Sequence, residues 1–250
     1  MTTTYRTSEI AKLAGLHPNT IRLYEEIGFL TKPVRLPNGY RVYTPLHLEQ
    51  VHLIRLALRA EVQQNGLRER AVAILRLCAV GRWSKATKET KQYLLQIERE
   101  IAYAKGAVKS VEAILARAPA ADCSFLKRNE AAQSLGVTVD TLRNWERNGL
   151  ITSSRLQNGF RVYTSQDMER LIIIRTLRSA SYSLSAILRL TQRLSCSRDV
   201  PVGEALNTPD ENEEIVSVCD HLITALFSAR EDAQQMLVFI KRMRKTITLQ

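Results

Sequence analysis

Two arginines, Arg22 and Arg143, occupy matching places in two similar strings, TIRLYEE at 20–26 and TLRNWER at 141–147. A guanidinium early on a helix presents a planar fork of donors. That fork suits the two acceptors of a guanine edge, or the oxygens of a phosphate. Asn19 and Thr20 precede the first arginine and Thr141 the second, while Tyr24 and Trp145 follow two residues on. A second set lies downstream, Arg41 with Tyr43 and Arg161 with Tyr163. Residues at i and i+2 share one face of a strand. A cation beside a directed phenol hydroxyl makes a clamp for phosphate, fixing position without reading sequence. Arg35 and Arg155 stand upstream of these pairs as further backbone contacts, and Tyr40 is answered by Phe160. A ring that tolerates loss of its hydroxyl points to packing or apolar contact.

These residues recur because a whole unit recurs. NGYRVYT at 38–44 is answered by NGFRVYT at 158–164, and SEIAKLAGLHPN at 8–19 by NEAAQSLGVTVD at 129–140. The similarity continues through LHLEQVHLIRLALR and QDMERLIIIRTLR, and AILRL is present in both copies. A self-similar period of this length marks a duplicated domain.

In each copy the spacing predicts two short helices joined by a glycine-containing turn. Ser8 is the expected N-cap of the first, with Ile10, Leu13 and Ala14 on its apolar face and Gly15 ending it. Pro18 opens the second, Ile21 and Ile27 carry its apolar face, and Gly28 closes it. In the other copy Thr138 is a better N-cap than His17. An Asn-Gly pair between VRLP and YRVY signals a hairpin, hence a wing after a helix-turn-helix. Amphipathic helices follow at 45–60 and 69–79, and again at 165–179 and 184–195. The first copy carries an insertion around EVQQNGLRE.

Each unit ends in a long helix. Leu94, Ile97, Ile101, Ala104, Val108, Val111 and Leu115 alternate in steps of three and four, as do residues from Ile215 through Cys219, Leu222, Leu226 and Ala229 to Ile247. Sustained heptads with charged flanks read as coiled-coil seams, each roughly 30–50 Å long. The simplest partner for each seam is the other.

Composition agrees with a polyanionic partner. Thirty-six Lys and Arg against 25 Asp and Glu give +11 over 250 residues and favour a polyanion, nucleic acid or an anionic membrane surface. No apolar run approaches a membrane span, and MTTTYRTSEI has no signal-peptide pattern. Four scattered cysteines without a Cys-x-x-Cys pair fit a reducing cytoplasm. No phosphate loop, nucleophile elbow or paired-carboxylate signature points to an enzyme, and no cofactor is expected.

TIRLYEEIGFL with NGYRVYT, and TLRNWERNGLI with NGFRVYT, resemble the MerR family of bacterial transcription regulators. Order and spacing match in both copies, so the resemblance covers nearly the whole chain. It implies a mainly α fold of duplicated winged helix-turn-helix domains, each followed by a long coiled-coil helix, forming an antiparallel intramolecular pseudo-dimer. The expected divisions are 1–84 and 127–200 for the two DNA-binding domains, 85–118 and 211–248 for the coils, and 119–126 for a linker. It implies a cytoplasmic, nucleoid-associated regulator bound to double-stranded promoter DNA, acting with RNA polymerase by gripping two half-sites and distorting the promoter. Cross-pairing of coils into a homodimer is the alternative assembly, and an architectural, excisionase-like DNA bender the alternative function. Two departures stand out. The position after the helix arginine, usually Tyr in the family, is Leu23 in one copy and Asn144 in the other. Nothing that looks like an effector domain follows the last coil.

Some relatives bind metals through cysteines near the coil ends. The corresponding candidates here are Cys123, Cys196 and Cys219, although Cys219 also fits the seam as a small core residue. His17, His47, His52 and His221 show no ligand spacing.

Overall fold

A computed structural model describes residues 3–59, 64–118, 125–155, 161–208 and 221–248. The chain is mainly helical. Its first part runs α1 (Thr7–Ala14), α2 (Pro18–Glu26), β1 (Val34–Arg35), β2 (Arg41–Val42), α3 (Pro45–Arg59), α4 (Leu67–Ala79) and α5 (Trp83–Leu115). Its second part runs β3 (Phe125–Lys127), α6 (Arg128–Leu135), α7 (Val139–Arg147), β4 (Ser154–Arg155), β5 (Arg161–Thr164), α8 (Ser165–Ser179), α9 (Leu184–Cys196), α10 (Val202–Asn207) and α11 (Leu222–Thr248). The same order of two short helices, a strand pair and two longer helices thus occurs twice. The chain divides into two compact units, residues 1–99 with 225–250, and residues 100–224.

The short helices form for local reasons that both copies share. Glu9 and Glu130 reach back from the third helical position to the backbone N–H of Arg6 and Lys127, each at 2.7 Å. This satisfies a donor that the first turn leaves unpaired. Ser8 is therefore not the cap; the cap is Arg6, two residues earlier, and the helix starts at Thr7. Gly15 and Gly136 end these helices at φ 63° and 64°, the left-handed region where a Cβ is penalised. The second helices are capped by side chains, His17 Nδ1 accepting from Asn19 N–H at 3.2 Å and Thr138 Oγ1 from Thr141 N–H at 3.1 Å. Ile10, Ala14 and Ile21 are buried as their spacing suggests, but Leu13 and Ile27 are 56% and 40% exposed. Both lie on the edge of their apolar stripes, where short helices leave one flank in water.

In unit 1, β1 and β2 form a two-stranded antiparallel hairpin pairing Val34 with Val42 and Arg35 with Arg41. Asn38 Oδ1 accepts from Tyr40 N–H at 3.2 Å, and Gly39 adopts φ 82° in the turn. Tyr5 adds an isolated bridge to Tyr43. Unit 2 extends the scheme to three strands in the order β3-β5-β4, because Phe125–Lys127 pairs along β5. This third strand was not anticipated from the sequence.

The helix starts after the strands differ instructively. Thr164 and Asp167 make a reciprocal capping box at the start of α8, with Asp167 Oδ2 accepting from Thr164 N–H at 2.9 Å. His47 stands where Asp167 does, and its Nδ1 accepts from Thr44 N–H at 3.0 Å. His47 is buried and meets the Tyr43 ring edge-on at 5.4 Å. Gln50, also buried, accepts from Thr31 N–H at 3.1 Å and donates to the Cys78 carbonyl at 3.2 Å. One side chain thereby ties the turn after α2 to α3 and α4.

Along α5, Ile97, Ile101, Ala104 and Val111 are buried as expected, together with Tyr93. Leu94, Val108 and Leu115 are only half-buried. On α11, Leu222, Leu226, Ala229, Ala233, Met236, Ile240 and Met243 are all buried, a continuous apolar stripe. Ile215 and Cys219 lie outside the described residues. Within unit 1, α3 and α11 run antiparallel. Glu49 meets Arg242 at 2.9 Å, His52 meets Phe239 ring to ring at 6.3 Å, and Arg59 pairs with Asp232. Ten residues forward along α3 are ten residues back along α11, as two helices of equal rise require. Among the described residues no helix is long and apolar enough to cross a membrane.

Candidate nucleic-acid interface

The exposed faces of α2 and α7 carry the arginines. Arg22 Nη1 donates to Asn19 Oδ1 at 2.7 Å, and Arg143 Nη1 donates to Asp140 Oδ1 at 2.8 Å. The i, i+3 partner holds each guanidinium on the first turn while leaving donors facing solvent. Thr20 and Thr141 are partly exposed beside them. The next positions differ in chemistry. Leu23 is 49% exposed, whereas Asn144 is an exposed amide whose Oδ1 accepts from Asn148 at 3.0 Å. Trp145 is buried and Tyr24 half-buried, so both are mainly packing groups.

The strand arginines are tied to the helices by carboxylates that were not singled out in the sequence. Arg41 Nε donates to Glu25 Oε2 at 2.6 Å, and Arg35 Nη2 lies 3.8 Å from Glu25 Oε1. In unit 2, Glu146 takes the place of Glu25 and is more heavily used. It accepts from Arg161, from Arg128 at 2.9 Å, from Ser153 at 2.8 Å and from Tyr163 at 2.8 Å. Burial works against ionisation of Glu146, yet these hydrogen bonds and the two guanidinium charges outweigh it and hold its carboxyl below the ordinary range. The recurrence of Glu in one helix and Arg in the following strand, in both copies, was the available signal.

Tyr43 and Tyr163 correct an expectation. Both are fully buried, so neither presents its hydroxyl to a phosphate alongside the neighbouring arginine. The strands have a helix packed behind them, and the tyrosine side is the packed side. Tyr163 donates inward to Glu146, and burial raises its pKa first, followed by that hydrogen bond. The clamp reduces to Arg41 and Arg161, each partly exposed. Tyr40, 67% exposed at the tip of the hairpin turn, keeps its place on the surface. Arg155 lies on β4 opposite Arg161, and Phe160 lies outside the described residues.

A concavity of about 970 Å³ opens between the start of α6, the exposed face of α7 and β5. Lys127, Arg128, Arg143, Arg147 and Arg161 line it, with Glu130, Asp140 and Glu146 among them. Its charged lining is on balance positive.

The cysteines give no such assembly. Cys196 is exposed, and burial pushes the Cys78 thiol up to about 12, which keeps it protonated. Cys123 and Cys219 lie outside the described residues. Among those described, no group of three or more His, Cys, Asp or Glu is arranged to hold a metal ion.

Comparison with known proteins agrees with the twofold pattern. Residues 126–194 match the family described as MerR HTH family regulatory protein, and residues 6–43 match the MerR family regulatory protein. The HTH-type transcriptional regulator CueR of Escherichia coli O6:H1 is 50% identical over 50 residues, 20% of this chain and 37% of that protein. The chain therefore spans little more than a third of that relative's length. CueR of Vibrio cholerae serotype O1 is 31% identical over 111 residues, covering 40% of this chain and 80% of the relative. The HTH-type transcriptional regulator ZntR of Escherichia coli is 37% identical over 65 residues, 26% of this chain and 46% of that protein. No solved structure matches the chain.

Proposed function

The chain belongs to the MerR family of HTH regulatory proteins, and from that premise we propose that it is a DNA-binding transcription regulator carrying two reading heads in one polypeptide. It is not an enzyme. Each head is a winged helix-turn-helix: α1, α2 and the β1–β2 hairpin in one, α6, α7 and the β4–β5 hairpin in the other. The observation that carries the reading is the repeated constellation of Arg22 with Arg41 and Arg143 with Arg161, each wing arginine anchored by Glu25 or Glu146. A recognition-helix arginine and a wing arginine held to a carboxylate of the same helix meet the major groove and the adjacent backbone together.

The heads grip two half-sites of a promoter and distort the duplex between them, in concert with RNA polymerase, in the cytoplasm at the nucleoid. The long helices pair antiparallel within one chain as a pseudo-dimer. The buried stripe from Leu226 to Met243 on α11, grouped with residues 1–99, supports this pairing. Nuclease footprinting on the DNA upstream of the protein's own gene tests the proposal. Two protected half-sites are expected, with Arg22→Ala erasing one and Arg143→Ala the other. Unchanged DNA affinity in the double variant sinks the reading, and protection without any effect on transcription favours an architectural DNA bender.

A further inference from the structure

Residues 1–44 and 125–164 each carry six Lys and Arg against three Asp and Glu, but the charges are distributed differently. In unit 2 the concavity at the start of α6 is lined by five cations and three carboxylates. The capping glutamates Glu9 and Glu130 align α1 with α6, and the nine-residue helices align α2 with α7. On that alignment the corresponding positions in unit 1 hold three cations, Arg6, Arg22 and Arg41, against three carboxylates, Glu9, Glu25 and Glu26. Two replacements create most of the difference. Arg128 stands where unit 1 has Thr7, and Arg147 stands where it has Glu26. Asp140 in place of Asn19 offsets part of the gain.

Arg128 is placed to act on a ligand as well as to stabilise. Its Nη2 lies 2.9 Å from Glu146, while its side chain keeps 23% of its surface exposed to the concavity. Glu146 is shared with Arg161, so two guanidiniums divide one nearly buried carboxylate. One positive charge is left over at that point. In unit 1 Glu25 is likewise shared by two guanidiniums, Arg41 at 2.6 Å and Arg35 at 3.8 Å, but both belong to the wing strands and neither to the start of α1. The uncompensated charge, with Arg143, Arg147 and Lys127 around it, faces the opening. A polyphosphate backbone is the anion that matches several guanidiniums spread along one surface.

We propose that Arg128 and Arg147 of the second head are backbone-phosphate contacts for which the first head has no counterpart at the same positions. This rests on the DNA-binding reading above. It assigns the second head two phosphate contacts at positions where the first head has Thr7 and Glu26.

Salt dependence is the measurement that separates them. Binding of a random-sequence duplex is titrated by fluorescence anisotropy from about 50 to 200 mM salt, where each neutralised phosphate adds about 0.9 to the log–log slope. Exchanging unit 2 residues for those of unit 1, Arg128→Thr with Arg147→Glu, is expected to flatten the slope by about 2. The reciprocal exchange, Thr7→Arg with Glu26→Arg, is expected to steepen it, and it tests the same claim should loss of Arg128 unfold the second head. Circular dichroism melting establishes which variants are folded. Wild-type protein that binds no duplex overturns the DNA-binding reading and this inference with it. Wild-type protein that binds with a slope unmoved by the folded exchange variants overturns this inference alone.

Discussion

Arg41 Nε lies 2.6 Å from Glu25 Oε2, so the wing strand is fastened to the second helix of its head by one charged hydrogen bond. The same fastening recurs between Arg161 and Glu146 with three further donors added. Loss of the carboxylate therefore costs the two heads differently. Glu146→Gln removes the charge that Arg128 and Arg161 share and disrupts the Tyr163 bond, with an expected cost of about 2–3 kcal/mol. Glu25→Gln affects fewer partners and is expected to cost about half that. Urea denaturation with an unchanged m-value checks both. Equal losses in the two variants would show that the added partners in unit 2 contribute nothing.

Acid sensitivity follows from the same site. Glu146 is held below the ordinary carboxylate range in the folded protein, so the unfolded chain takes up its proton first as pH falls. The stability it contributes is fully present above about pH 4.3 and is lost as pH drops further through the folded value. Stability measured from neutral to acid pH is expected to fall more steeply in wild type than in Glu146→Gln. Parallel curves would rule the site out as an acid-labile element.

His47 adds a separate window nearer neutrality. Burial pushes its imidazole below the ordinary histidine value, overcoming the opposing pull of the Thr31 backbone and Glu25. The folded state thus favours neutral His47, whose Nδ1 accepts from Thr44 N–H. Its contribution is complete above about pH 6.5 and is lost as pH falls through the folded value. His47→Asn keeps an acceptor for Thr44 without a titrating group. Its stability is expected to be flat between about pH 7 and 5, where wild type declines. A wild-type decline that persists unchanged in the variant would assign that window to another group.

Much of this arrangement was legible in the sequence because local rules govern it. Gly15 and Gly136 mark helix ends since only glycine takes φ near +63° without penalty, and Asn38-Gly39 marks the hairpin for the same reason. The heptad residues of α11 from Leu222 to Met243 proved buried because periodicity is itself a record of burial. What escaped was set by tertiary contact. Strand alternation pairs Arg41 with Tyr43 but does not say which face is covered, so Tyr43 read as exposed and proved buried. Phe125–Lys127 is too short and too charged to register as a strand without β5 beside it. Arg128 carries no signal in the pattern the copies share, because its importance lies in replacing Thr7.

Divergence between the heads also bears on the operator. Leu23 and Asn144 project from equivalent exposed places on α2 and α7, yet a leucine can only meet a thymine methyl while an asparagine can pair with adenine. The preferred site is expected to be imperfectly symmetric. Leu23→Asn should shift preference towards two like half-sites, with discrimination at the affected base pair changing by about 1–3 kcal/mol. Selection of bound duplexes from a randomised pool, for wild type and variant, reads this directly. Identical selected half-sites for wild type would refute the asymmetry.

Asp232 is 2% exposed on α11 and is held by Arg59 at the end of α3, with one bond of 3.0 Å from Nε and a second from Nη2. A carboxylate so deeply placed beside a buried stripe is tolerable only while its guanidinium remains. Arg59→Leu leaves the charge stranded and is expected to cost about 2–3 kcal/mol, reduced from a fully buried pair because Arg59 itself is largely exposed. Asp232→Leu together with Arg59→Leu removes both charges and is expected to recover most of that loss, since Asp232 borders the apolar positions Ala229, Ala233 and Met236. Tyr93 gives an independent readout. Burial first, and the Asp232 charge second, push its phenol up to about 12, so Asp232→Leu should lower that value in a phenolate absorbance titration. A double variant as unstable as Arg59→Leu alone would mean that the pair holds α11 by shape rather than by charge.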